Sequence, residues 1–149
     1  MLPARGNGAI FNNLPAFVEP FCRLYDDEFP DVSAVVADTL KSTGYPVQVS
    51  NTQIGVFMTG FVNRQQPMAL WRDNYVVTVT PAGLHTEVKV LRTVYISRDG
   101  ATYNQGISVG QNETWLFTQI GDRLVRRKAA PPPAPSQSPA HSRPRHPKH

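Results

Sequence analysis

The chain has 149 residues, 40% of them hydrophobic and 17% charged, which fits one small domain and leaves little room for a second core. Fifteen Lys and Arg stand against eleven Asp and Glu for a formal charge of +4, yet six of the fifteen (Arg126, Arg127, Lys128, Arg143, Arg145 and Lys148) and no acid follow residue 125. The nine basic and eleven acidic residues that remain leave the body slightly acidic, so the basic balance belongs to the tail and carries no argument for a basic domain surface.

Residues 1–13 mix Gly, Asn and Pro without periodicity and are expected to be a flexible lead-in to an α+β domain over 14–125. Phe21, Leu24 and Tyr25 place a first strand at 21–25, after the break at Pro20. Cys22 is the chain's single cysteine, so an internal disulfide is excluded and the redox compartment stays open. It follows Glu19-Pro20-Phe21, which lacks the small residue that precedes a lipidated cysteine, and is read as a buried thiol rather than a lipid anchor or nucleophile. A helix is expected over 31–42. Asp31 would accept from free amides of the first turn, Val32, Val35, Val36 and Leu40 recur at helical spacing, and Gly44 stands where a left-handed terminating residue is wanted.

Period-two alternation in 46–50, a turn at Asn51-Thr52-Gln53 and a return over 54–61 predict a hairpin. Residues 62–72 are polar and are expected to form a loop. Strands at 74–80 and 85–97 follow, joined by a turn at Pro81-Ala82-Gly83-Leu84. In the second of them Thr86, Val88, Val90, Arg92, Val94 and Ile96 share the core face, and Glu87, Lys89, Leu91, Thr93 and Tyr95 share the other. Residues 98–110 form a loop long enough to suggest a function. A last helix starts near Ser108 or Asn112, with Ser108 and Gln111 at capping-box spacing and Trp115, Leu116, Phe117, Ile120 and Leu124 as its apolar residues. From 126 to 149 the repeated Pro and basic residues predict a disordered tail.

Short connections predict a single antiparallel sheet of four to five strands with two helices packed on one face, the other face partly solvated. No run of 18 apolar residues is present to span a bilayer, and the first twenty residues lack the order of a secretory signal. The expected location is therefore cytoplasmic, or periplasmic and outer-membrane-associated if a signal has been removed.

A helix ending in Leu40-Lys41-Ser42-Thr43-Gly44-Tyr45, a strand through Val47 and Val49, then Gly55-Val56-Phe57-Met58-Thr59, resembles the helix-grip domains of the accessory lipoprotein C of the outer-membrane β-barrel assembly machinery and related bacterial envelope lipoproteins. The hairpin through 75–80 and 86–94 and the closing helix around 115–124 are similar in order. The resemblance covers about residues 21–125 and implies a periplasm-facing, non-catalytic interaction domain. It explains neither the missing lipidation motif nor the proline-rich tail.

His85 is the only histidine of the body and is read as an exposed strand-end residue, since a catalytic base needs converging partners. Asp26, Asp27 and Glu28 are consecutive and are assigned a structural role ahead of the helix rather than a cation site. Asn112-Glu113-Thr114 matches a glycosylation acceptor by a motif common by chance. Trp71 and Arg72 form either an exposed aromatic-plus-guanidinium contact of the kind enriched at interfaces or a Trp packed over a sheet edge. Tyr103, Asn104 and Gln105 lie in the Gly-flanked loop, the first choice for a partner surface. Arg126, Arg127 and Lys128 open the basic tail, read as a solvated or linker-like segment with contact to anionic surfaces as the alternative; nucleic acid is disfavoured by the acidic body and by the absence of aromatics beside the tail's charges. His141, His146 and His149 are spread too widely among prolines for fixed metal geometry. No catalytic residue, metal ligand or cofactor is assigned. The expected function is a non-catalytic interaction or assembly module of the bacterial cell envelope, binding protein partners through a sheet edge or the 98–110 loop. The alternative is a carrier of a small apolar ligand, held in a cavity between the final helix and the sheet and lined by Phe57, Val77, Val90, Trp115 and Ile120.

Overall fold

Residues 19–129 are described by a computed structural model. In chain order they form β1 (Phe21–Tyr25), α1 (Phe29–Lys41), β2 (Val47–Asn51), β3 (Val56–Thr59), β4 (Val62–Gln66), β5 (Ala69–Ala82), β6 (His85–Ser97), β7 (Asn104–Gln105) and α2 (Gln111–Ala129). The strands make one antiparallel sheet in the order β1-β6-β5-β3-β2, with β4 paired to the first half of β5 and β7 to the end of β6. The β5–β6 hairpin is its spine, pairing without a register shift from Leu70↔Ser97 to Ala82↔His85. Gly83 closes it at φ +66°, the position a two-residue type II′ turn reserves for glycine.

Both helices lie on one face of this sheet. Val32, Val35, Val36 and Leu40 from α1 and Leu116, Phe117, Ile120 and Leu124 from α2 meet Phe57, Tyr75, Val77, Val79, Val88 and Val90 in one buried cluster. The pairs Phe57↔Val77, Val77↔Val90 and Val79↔Val88 fix which side chains point inward, as strand alternation requires. The β2–β3 turn is held by the Asn51 side chain, whose Oδ1 accepts from the amides of Gln53 and Ile54 at 3.0 and 3.2 Å. Gly55 then runs against β5, its carbonyl accepting from the Val79 amide at 2.8 Å. A Cβ there would stand 2.3 Å from the Val79 carbonyl oxygen, so no other residue fits this approach.

Five expectations are corrected. The sheet has seven strands, not four to five, because residues 62–72, expected to be a polar loop, form β4 and the start of β5, and because β7 interrupts the loop 98–110. Asn63, Arg64, Gln65 and Gln66 are exposed along β4, an edge where polar side chains need no apolar alternation. Helix α1 begins at Phe29. Its N-cap is Glu28 without a side-chain bond, and Pro30 fills the first turn, where a missing N–H costs nothing. Asp31 instead pairs with Arg127 at 3.4 Å. At α2 the Ser108 hydroxyl donates to Glu113 Oε1 at 2.8 Å rather than forming a box with Gln111. Helix α2 also continues through Arg126, Arg127 and Lys128, so the tail does not begin at 126. Basic residues suit a helix C-terminus, and Lys128 reaches Asp27 at 3.1 Å. Finally, Cys22 is exposed, not buried: it lies on the edge strand β1 opposite Lys89, on the face away from the helices. The expected lead-in and residues 130–149 of the tail lie outside the described residues.

Candidate functional site

Strand alternation along β5 sends Asp73, Tyr75, Val77 and Val79 to the helix side and Arg72, Asn74, Val76 and Thr78 to the other. Each face carries a distinct assembly. On the helix side, beyond the apolar core, Asp73 is 1% exposed. Its Oδ2 accepts from Arg92 Nε at 2.6 Å and from the Tyr45 hydroxyl at 2.7 Å. Burial works against the Arg92 charge, and the hydrogen bond and charge of Asp73 more than offset it, holding the guanidinium above its usual range. Tyr45 is driven upward by burial and by its bond to Asp73. Arg64 from β4 donates to the Tyr45 hydroxyl, and its Nε stands 3.9 Å from Asp73 Oδ1, with its side chain 40% exposed. Arg92 also reaches Ser108 at 3.4 Å, which links the pair to buried Glu113 at the start of α2.

Above this network a cavity of about 330 Å³ opens between the end of α1, β4 and the first turn of α2, lined by Tyr45, Arg64, Tyr75, Gln111, Asn112 and Trp115 together with Thr43. The rings of Tyr45 and Tyr75 meet edge to face at 4.9 Å and form its floor. Trp115 is 47% exposed at its wall.

Among the described residues no helix lies on the opposite face of the sheet. Val49, Met58, Val76 and Leu91 stand directly opposite one another across β2, β3, β5 and β6, so one row of apolar side chains crosses four strands. On the same face, beyond the Asn74↔Thr93 pair, the Arg72 guanidinium lies over the rings of Phe61 at 4.9 Å and Tyr103 at 5.5 Å. Tyr95, paired with Arg72 across the β5–β6 ladder, stands 5.8 Å from Phe61. Among the described residues Arg72 enters no ion pair, and its Nε is buried without an acceptor.

Of the residues singled out in the sequence, Arg72 and Tyr103 are thus brought together. Trp71 is not with them: it is half-buried, facing the helix side opposite Ile96 and Arg64. Asn104 and Gln105 form β7 and, with Ile96, Arg98, Asp99 and Thr102, line a groove of about 440 Å³. The turn into it is fixed by Asp99, whose Oδ1 accepts from the amides of Thr102 and Ala101 at 2.8 Å and from Ser97; these donors lower its pKa to about 2. Arg126, Arg127 and Lys128 are helical, and the last two are engaged with Asp31 and Asp27. His85 is exposed at the strand end and bonded to Asp26 at 2.8 Å.

Phe57, Val77, Val90 and Ile120, expected to line an apolar cavity, pack into the core, whereas Trp115 turns toward solvent. Sequence reasoning missed Phe61, Tyr45, Arg64 and Asp73. Arg64 lies in β4 and Asp73 in the part of β5 that pairs with it, a ladder without apolar periodicity to mark it, and Tyr45 and Phe61 lie in the connections between elements. Among the described residues no group of three or more His, Cys, Asp or Glu is placed to hold a metal ion, and no helix is long and apolar enough to cross a membrane. No family model and no curated protein matches the chain.

Proposed function

We propose that this chain is a non-catalytic interaction module that docks a protein partner on the helix-free face of its sheet. The single observation that carries this is the apolar row Val49, Met58, Val76 and Leu91 on the same sheet face as the aromatic-flanked guanidinium of Arg72. An apolar strip and a stacked Arg on one face have the composition of an interface. The complement is a protein surface that lays apolar side chains along the row and offers a carboxylate to Arg72, which has no acidic partner of its own among the described residues. The sequence resemblance to envelope lipoproteins makes envelope extracts the first place to look for that partner.

The test compares capture by the full chain with capture by Val76→Asp, which sets a charge in the middle of the row, and by Leu84→Asp, which sets the same charge at a hairpin tip 93% exposed. A defined partner kept by Leu84→Asp and lost by Val76→Asp, with both variants folded by circular dichroism, supports docking on this face. A partner held equally by both variants contradicts it.

A further inference from the structure

The cavity on the helix side is not used by the docking surface, and its chemistry points elsewhere. Its lining carries three aromatic side chains, two side-chain amides and one formal charge, that of Arg64. Of the acids beneath it, Asp73 Oδ2 is taken by Arg92 at 2.6 Å and by Tyr45, while its Oδ1 is buried without a hydrogen-bond partner, and Glu113 turns to Ser108. Arg64, at 3.9 Å from Asp73 Oδ1, is too far to complete a two-pronged pair with that carboxylate. Its guanidinium is held beside the Tyr45 ring, 5.3 Å from the centroid, at the mouth of the cavity. The Gln111 and Asn112 amides and Trp115 complete the lining.

A positive fork at the rim, an aromatic floor and wall, and a volume of about 330 Å³ together select for a compact organic anion with a flat body. The volume falls at the small end of the roughly 300–1,000 Å³ of ligand pockets. We propose that this cavity is a binding site for a small aromatic carboxylate, with Arg64 as the carboxylate anchor and the Tyr45, Tyr75 and Trp115 rings as the slot for its ring. The proposal goes beyond the docking function, from which it is independent, since Tyr75 and Val76 point to opposite faces of β5.

Benzoate and benzamide, of nearly equal shape and different charge, are the probes. The chain has two tryptophans, so Trp71→Phe leaves Trp115 as the sole reporter. In the full-length Trp71→Phe protein at constant ionic strength, benzoate shifts the Trp115 emission with saturation and benzamide binds at least about ten-fold more weakly. Arg64→Gln in the same background abolishes the preference for benzoate and leaves benzamide binding unchanged. Equal response to the two probes, no response to either, or an undiminished benzoate preference in Arg64→Gln overturns the proposal. Should Arg64→Gln not fold, the comparison of the two probes on the unsubstituted Arg64 protein still decides. Loss of partner capture in Val76→Asp with benzoate binding intact separates this site from the docking surface.

Discussion

Replacing Asp73 by Asn removes the only carboxylate among the described residues that faces Arg92 at hydrogen-bond distance, while keeping the shape of the side chain. Asp73 and the Arg92 side chain are 1% and 10% exposed and meet at 2.6 Å. With charge centres about 4 Å apart and an effective dielectric constant of about 20, their attraction is about 4 kcal/mol, consistent with the roughly 3–5 kcal/mol lost when one member of a buried pair is removed. Against a total stability of about 5–15 kcal/mol, this brings the fold close to its limit, and the melting temperature falls by about 12 °C or more. Arg64→Gln perturbs the same carboxylate from 3.9 Å and a 40% exposed side chain, and is expected to cost less than about 1 kcal/mol. Urea unfolding followed by circular dichroism at neutral pH reads both. The paired replacement Asp73→Leu with Arg92→Met is expected to cost less than the sum of its single replacements, because neither member of the pair is left buried facing an absent partner. A loss below about 1 kcal/mol for Asp73→Asn, or a double variant whose cost equals the sum of its singles, refutes the reasoning.

Phe57→Ala empties the centre of the core, where the ring is fully buried, and is expected to cost about 3–5 kcal/mol in the same urea assay. Gly55→Ala places a methyl group 2.3 Å from the Val79 carbonyl oxygen at φ +74°; a loss of at least about 2 kcal/mol is expected, with the folded fraction read by thermal melting. The Tyr25 phenol, raised to about 12 by burial against the opposing pull of Arg23, is expected to resist ionisation in an ultraviolet titration. Its folded value lies above its unfolded one of 10.0, so its contribution is complete below pH 10 and is lost as pH rises through about 12. A native-state midpoint near the unfolded value would contradict the burial of this hydroxyl.

Much of the scaffold was legible because single local rules governed it. Val32, Val35, Val36 and Leu40 announce α1 by spacing, and they are buried on one side of it. Residues 85–97 alternate so regularly that the bounds of β6 and its inward face agree with expectation. What escaped was set by pairing partners distant in the chain. Strand β4 carries Asn, Arg, Gln and Gln on an exposed edge, so no apolar periodicity marks it, and only its ladder with β5 makes it a strand. Missing β4 hid the site as well, since Arg64 reaches Tyr45 and Asp73 from that strand. Cys22 was misplaced because an edge position on the uncovered face cannot be told from a core position by its neighbours alone. Arg72 and Tyr103 were both singled out, yet their direct meeting depends on how the loop after β6 folds back through β7.

The central claim is that the face bearing Val49, Met58, Val76 and Leu91 is where a protein partner sits, and Cys22 offers direct access to it. This sole cysteine is exposed on that face, opposite Lys89, and takes a benzophenone maleimide without any substitution. Irradiation of the labelled full chain in envelope extract, with adducts identified by mass spectrometry, is expected to yield a defined heterologous adduct. That adduct should be lost in Val76→Asp and absent when the label is moved to the helix side by Cys22→Ser with Asp122→Cys. Adducts of the same identity and yield from both label positions, or an adduct undiminished by Val76→Asp, would contradict recognition through this face.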